Sequence, residues 1–304
     1  MARICRALFI SILAFLSAGI LKAQDGVNFF NNTISGVNLG NASGGYTNGH
    51  KNWAIFALSG VTITDAGTSP GGSYDVYGNV AIAGGNLNMS ASWINGTVYR
   101  DVGTQTITTS NGAYFTGNGG VPITGYMGSG SGGYLGTGVQ NAKDASDAAF
   151  SATVTPGTVS TAVFTSPKTQ TDLGISDTLA NMANKTYVLN LTDLILSGAS
   201  ASLTLSGTNT TNYIFNISRY MTLGSGAQIN LTGGMTEANV LYNVRSYTTQ
   251  YDVTLSNGST AQGIILAPTR NVKETAGSTV YGEVIARGVS LSGGSKVINP
   301  YVSP

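Results

Sequence analysis

The chain has 304 residues, of which 42 are glycine and only 9% are charged. With a formal net charge of +1 and no basic block, electrostatic capture of nucleic acid or of an anionic membrane is excluded as an organising function. A single histidine and a single cysteine exclude a multi-histidine metal site and a disulfide framework, and the setting of His50 in a Gly/Asn-rich stretch argues against a His-dependent triad.

In chain order, Arg3 and Arg6 give a basic start, residues 7–20 are apolar, and Lys22-Ala23 precedes the polar Gln24-Asp25. This predicts a secretory signal peptide over residues 1–23, whose apolar run is shorter than the roughly 20 residues needed to span a bilayer. Its removal takes Cys5, Arg3, Arg6 and Lys22, leaving 11 basic against 13 acidic residues, a net charge near −2. Residues 24–304 then read as one domain. The lead-in, residues 24–51, is rich in Asn and Gly and holds His50. Strand-like alternation begins at residues 53–64, continues through Tyr77–Gly85, and repeats its Gly-x-Val idea 18 residues later in residues 94–99. The glycine-rich stretch 117–138 reads as a loop between two parts of the domain. It leads into a helix predicted over 139–153, capped by Asn141 or Asp144, with Ala145, Ala148, Ala149 and Ala152 on one small-residue face. A further helical turn is expected near Asp177–Met182.

The last third sets the fold class. Val188-Leu189-Asn190-Leu191 returns as Ile214-Phe215-Asn216-Ile217 and as Leu241-Tyr242-Asn243-Val244, at steps of 26 and 27 residues. Toward the C-terminus, in Gly263–Pro268 and Gly282–Gly288, the step falls to about 20. Short apolar/Thr strands closed by Gly at such intervals predict an all-β fold, a parallel β-helix (β-solenoid) with one short α-helix packed alongside. Alternate Val, Ile, Leu and Phe should stack inward on counterparts about 4.8 Å away in neighbouring coils. Asn190, Asn216 and Asn243 share one repeat position and are expected to form an amide ladder. The exposed edges at the two ends need caps, for which the polar N-terminal region and the Pro-flanked C-terminal tail are the candidates.

Residues 213–217, 238–244, 263–268 and 282–286, with the earlier Tyr77–Gly85, resemble the choice-of-anchor A family of bacterial secreted and surface proteins. The Leu-Ser-Gly and Thr-Gly-Gly turns followed by Asn239-Val240-Leu241 are also similar to the ice-binding-like β-helix family. The first resemblance implies an exported, adhesive β-solenoid with an accompanying helix and no catalytic residues. Its members carry varied C-terminal anchoring signals, and the C-terminal residues 299–304 show none.

No catalytic, cofactor-binding or metal-binding residue is expected. The acidic pair Asp144 and Asp147 reads as helix-dipole complementarity rather than acid/base chemistry. Asp65 and Asp75 bracket a Gly/Ser/Pro loop that could hold calcium only weakly, and Gly128–Gly138 lacks the Lys-Ser/Thr ending of a phosphate loop. The primary expectation is therefore a secreted, non-enzymatic adhesin that binds an extracellular polymer, glycan, host or matrix protein, with Tyr242, Tyr247, Tyr251 and Tyr281 as contact groups near one end. The alternative is an ice-binding protein using Thr62-x-Thr64 and Thr106-x-Thr108, although later coils substitute other residues for Thr. A polysaccharide-cleaving β-helix is the distant third reading.

Overall fold

A computed structural model describes residues 53–64, 74–100, 105–124, 134–245 and 251–299. The signal peptide, the lead-in with His50, Asp65, Tyr247 and the tail beyond residue 299 lie outside them. The described residues form a succession of parallel strands, 21 in all, that winds into the expected β-solenoid. Each coil contributes to three long faces: one covered by a helix, one flat and bare, and a third that carries several aromatic rings.

The repeats seen in the sequence are rungs of the helix-covered face. Val188 pairs with Ile214, Ile214 with Leu241, Leu241 with Ile264, and Ile264 with Glu283. Residues one position further on point into the solenoid and form an unbroken column: Leu189, Phe215, Tyr242, Ile265, Val284 and Ile55. All six are fully buried. Phe215 stacks on Tyr242 with ring centres 5.4 Å apart. Tyr242 is therefore core rather than a contact group, its phenol donating to the Gln262 carbonyl at 3.0 Å. The glycines that open the Gly-x-Val motifs turn the chain at a corner where coils nearly touch. Gly282 has φ +136°, and a Cβ there would lie 2.1 Å from the Gly263 carbonyl oxygen. Only glycine fits such a position.

The order of coils in space is not their order in sequence. The first three coils stack away from Trp53–Ala57, the strand Asn79–Ile82 on it and Val98–Arg100 beyond. The chain then passes along the molecule to the opposite end, where Ala162–Phe164 pairs with the Thr186–Leu196 strand. From there it winds back until the last full coil, Thr279–Ser292, closes against the first, pairing with both Trp53–Ala57 and Val61–Thr64. The C-terminal coil is thus the joint between two halves. Lys296–Ile298 sits mid-stack between Thr279–Tyr281 and Val76–Tyr77; the expected caps, the polar N-terminal region and the Pro-flanked tail beyond Asn299, lie outside the described residues. At the Ala162 end, Leu173, Ile175 and Met182 are buried in the core cluster, so the segment carrying the 3-10 turns Gln170–Leu173 and Leu179–Asn181 covers that end. The second of these turns is the one expected near Asp177–Met182.

The long passage is made by the helix, Tyr134–Phe150. Its 17 residues span about 25 Å, roughly five rungs at the interstrand spacing. It begins earlier than the sequence predicts, because Gly136 and Gly138 read as loop formers. Burial of one helical face overrides that intrinsic cost: Gly138, Ala142, Ala145, Ser146 and Ala149 are buried, whereas Ala148 and Ala152 lie at its margin. Asn141 and Asp144 consequently lie inside the helix and not at its start. Asp144 accepts from Gln140 at 2.7 Å and Asp147 pairs with Arg245 at 2.7 Å, so helix-dipole complementarity is not their role.

The amide ladder is present, but it points outward, toward the helix. Asn216 Nδ2 donates to Asn190 Oδ1 at 2.9 Å and Asn243 Nδ2 to Asn216 Oδ1 at 2.8 Å. The same amides tie down the helix. Asn216 Nδ2 donates to the Ala149 carbonyl at 2.7 Å, Asn243 Nδ2 to the Ser146 carbonyl at 2.9 Å, and Ser146 Oγ to Asn243 Oδ1 at 2.6 Å. Ala149 has one of the last carbonyls of the helix, and besides the Asn216 amide it accepts from the Ala152 N–H at 3.3 Å. Asn216→Leu should therefore cost about 1–3 kcal/mol for each orphaned buried group, read as a lowered denaturant midpoint in equilibrium unfolding. An unchanged midpoint would show that the ladder adds nothing to stability.

Candidate functional site

The two faces left bare by the helix differ in relief. On the third face, Tyr281 pairs with Ile298, Ile298 with Tyr77, and Trp93 with Tyr114. Tyr114 and Tyr281 are 44% and 37% exposed, so rings stand proud of the sheet between smaller residues. Tyr74 packs on Tyr77 with centroids 5.4 Å apart. This face is uneven.

The flat face is built of nine rungs held by eight pairings: Ile107–Ser110, Leu87–Ser90, Val61–Thr64, the second halves of Thr279–Ser292 and Thr260–Glu274, Val253–Leu255, the ends of Asn212–Leu223 and Thr186–Leu196, and Ala162–Phe164. Alternation sends Val61, Leu87, Val289, Val272, Val253, Met221 and Leu194 inward, where all are buried. The residues between them face solvent. Thr108, Asn88, Thr62, Ser290, Lys273, Thr254, Thr222, Ile195 and Val163 make one row. Two residues on, Ser110, Ser90, Thr64 and Ser292 make a second. Parallel pairing sets the rungs about 4.8 Å apart, and the two rows stand two residues apart along each strand, about 6.6 Å. No register shift interrupts the pairings that join Ile107–Ser110, Leu87–Ser90, Val61–Thr64 and Val289–Ser292. Among the described residues, no protein group ties down the side-chain hydroxyls of Thr62, Thr64, Thr108 or Ser290.

Charge on this face is paired: one cation lies within the first row and the others at a corner. Lys273 pairs with Asp252 at 2.6 Å. At the corner toward the helix side, Arg219 Nε donates to Asp193 Oδ1 at 2.8 Å. That bond holds the Asp193 carboxyl below the usual carboxylate range, and burial opposes it. Arg270 is buried at the same corner and donates to the carbonyls of Ser218 and Tyr251, each at 2.9 Å, and to that of Arg219. Desolvation lowers its guanidinium from the ordinary value. A shallow trough of about 370 Å³ borders the first row and is lined by its Asn88, Thr62, Ser290 and Lys273 together with Gly60 and Asn271.

The sequence-predicted positions divide between these surfaces. Thr62 and Thr64 lie on the flat face as anticipated. Thr108 lies there too, but it aligns with Thr62 while Ser110 aligns with Thr64, so the Thr106-x-Thr108 pair is out of step with Thr62-x-Thr64 by two residues. The serines and asparagine that complete the rows carry no distinctive motif; they are recognisable only once Ser290 is known to sit beside Thr62. Tyr251 is half-buried against Tyr220, with centroids 4.6 Å apart. Asp75 is buried, and its carboxylate accepts from the Trp93 backbone N–H at 2.8 Å, which leaves no support for a calcium role. Among the described residues, no group of three His, Cys, Asp or Glu could hold a metal ion, and no helix is long and apolar enough to cross a membrane.

Residues 82–297 match the ice-binding-like family. Among solved structures, the chain is similar to an ice-binding protein from an Arctic yeast (18% identity, TM-score 0.49, covering 83% of this chain and 93% of that one). It is also similar to an ice-binding protein from the Antarctic ascomycete Antarctomyces psychrotrophicus (16%, 0.42, 82% and 95%) and to a domain of a Shewanella frigidimarina ice-binding protein (17%, 0.41, 82% and 94%). No curated protein matches. These findings favour the weaker of the two resemblances read from the sequence and lend nothing to the choice-of-anchor A reading or to adhesion.

Proposed function

Because the chain belongs to the ice-binding-like family, we propose that this protein binds ice and that the flat face is the surface that meets it. The observation that carries the reading is the pair of rows of small, mostly uncharged side chains at fixed spacing on one rigid sheet. Ice is a rigid plane, so a surface that docks on it has to be flat over several rungs and has to hold water in a regular pattern before contact. Hydroxyls fixed on a parallel ladder do this without ordering long side chains, which lowers the entropy lost on binding. The helix-covered face cannot serve, and the tyrosines of the third face would hold an ice plane away from their smaller neighbours. No catalytic step belongs to this reading, and export through the predicted signal peptide would place the protein where ice forms.

Purified mature protein at micromolar concentration should show thermal hysteresis, shape growing ice crystals and suppress recrystallisation. Absence of all three, in protein that melts cooperatively, would remove the proposal.

A further inference from the structure

The flat face is not uniform along its length, and the break falls at one residue. Counting from the end formed by the early coils, four successive rungs present Thr108 and Ser110, Asn88 and Ser90, Thr62 and Thr64, and Ser290 and Ser292. All eight positions carry a hydroxyl or an amide and none is charged. The next rung presents Lys273, an exposed cation paired with Asp252 at 2.6 Å. Beyond it the first row runs Thr254, Thr222, Ile195 and Val163. In the second row Thr275 and Ser256 carry the hydroxyls on the two rungs past Ser292, and Gly224 then interrupts them, its N–H bonded to the Leu196 carbonyl at 3.0 Å. Gly224, Ile195 and Val163 have no side-chain group that can hydrogen-bond water.

We propose that ice docks on the four-rung patch from Thr108 to Ser290, and that Lys273 with Asp252 marks its border. The inference rests on the ice-binding reading of the flat face and deepens it. An ammonium is a compact, strongly hydrated point charge, so its first water shell is oriented around the ion and not in register with hydroxyls on the rungs either side. Along the first row, water held by Ser290 and Thr62 therefore forms no continuous net with water held by Thr254. The patch is about 14 Å long across three rung spacings and two rows wide. It joins the C-terminal coil to the three earliest ones, so it exists only when the last coil has closed against the first.

The test uses the full mature chain with steric variants at equivalent positions of the same row, on either side of the border. Thr62→Tyr, with Ser290→Tyr as a second variant, should lose most of the thermal hysteresis, while Thr222→Tyr should keep it. Lys273→Thr should raise it by letting the ordered net extend to Thr254. Melting by circular dichroism checks that each variant is folded, and these are all solvent-facing positions. Equal losses from Thr62→Tyr and Thr222→Tyr would overturn the localisation, as would a greater loss from Thr222→Tyr. No gain from Lys273→Thr would overturn its role as a border. A wild-type chain without hysteresis would remove the ice-binding reading itself, an outcome distinct from active protein whose variants fail to separate.

Discussion

Phe215→Asp is expected to yield no cooperatively folded protein. Phe215 is fully buried, and its register neighbours in the inward column are Leu189 on one side and Tyr242 on the other. Removing the ring alone, as in Phe215→Ala, should cost about 3–5 kcal/mol. A carboxylate in its place adds a desolvation penalty of several kcal/mol with no cation facing it. Together these approach or exceed the whole 5–15 kcal/mol by which a domain of ordinary stability is held. Ile265→Asp strikes the same column two rungs away and should behave alike. Chemical denaturation of Phe215→Ala should show a lower midpoint with a retained transition, and Phe215→Asp should show no transition. Soluble Phe215→Asp with the wild-type circular dichroism would mean that this column is not what holds the coils together.

The same column shows what could be read in the sequence and what could not. Asn190, Asn216 and Asn243 named the rungs, because one position per coil must repeat if coils stack in parallel. Period-two alternation also separated Phe215 from Asn216. It could not tell that both sides of this face are buried, one by the solenoid core and the other by the helix, so the ladder's second partners, the carbonyls of Ser146 and Ala149, were not visible. Coil order was hidden for a related reason. Each rung offers the same apolar pattern to a neighbour above or below, and nothing local in Val61–Thr64 distinguishes a partner at residues 87–90 from one at 289–292; it has both. The helix start was missed at Gly136 and Gly138, where tertiary packing outweighs propensity. The candidate site suffered most, since its rows are assembled across this discontinuous order, and of their members only Thr62, Thr64 and Thr108 stood in a pattern the sequence could show.

The second large effect comes from a residue that breaks the apolar pattern. The inward row Leu196, Leu223, Leu255, Glu274, Leu291 and Ile63 places a carboxyl in the solenoid core. Glu274 is fully buried, and neither oxygen has a hydrogen-bond partner among the described residues. Its neighbours along the strand, Lys273 and Thr275, do not share its inward position, and the row residues on either side are leucines. Desolvation therefore pushes its pKa well above the ordinary value, and the folded protein holds it as a neutral acid. Glu283, fully buried in register with Ile264 and without a hydrogen-bond partner for its carboxyl among the described residues, is raised for the same reason. The unfolded chain ionises both near pH 4.3. The stability they permit is thus fully present below that pH and is lost as pH rises toward the folded pKa, because the unfolded state releases protons that the folded state keeps. Each contributes a slope of about 1.4 kcal/mol per pH unit over that interval. Glu274→Leu continues the leucine row. It should stabilise the protein at pH 7 by about 1–4 kcal/mol, as replacing buried charged groups by well-packed apolar ones commonly does, and it should remove roughly half of the decline in melting temperature between pH 5 and pH 7. If Glu274→Leu melts with the wild-type pH dependence, the core carboxyl is ionised in the folded state and a cation that reaches it has to be found.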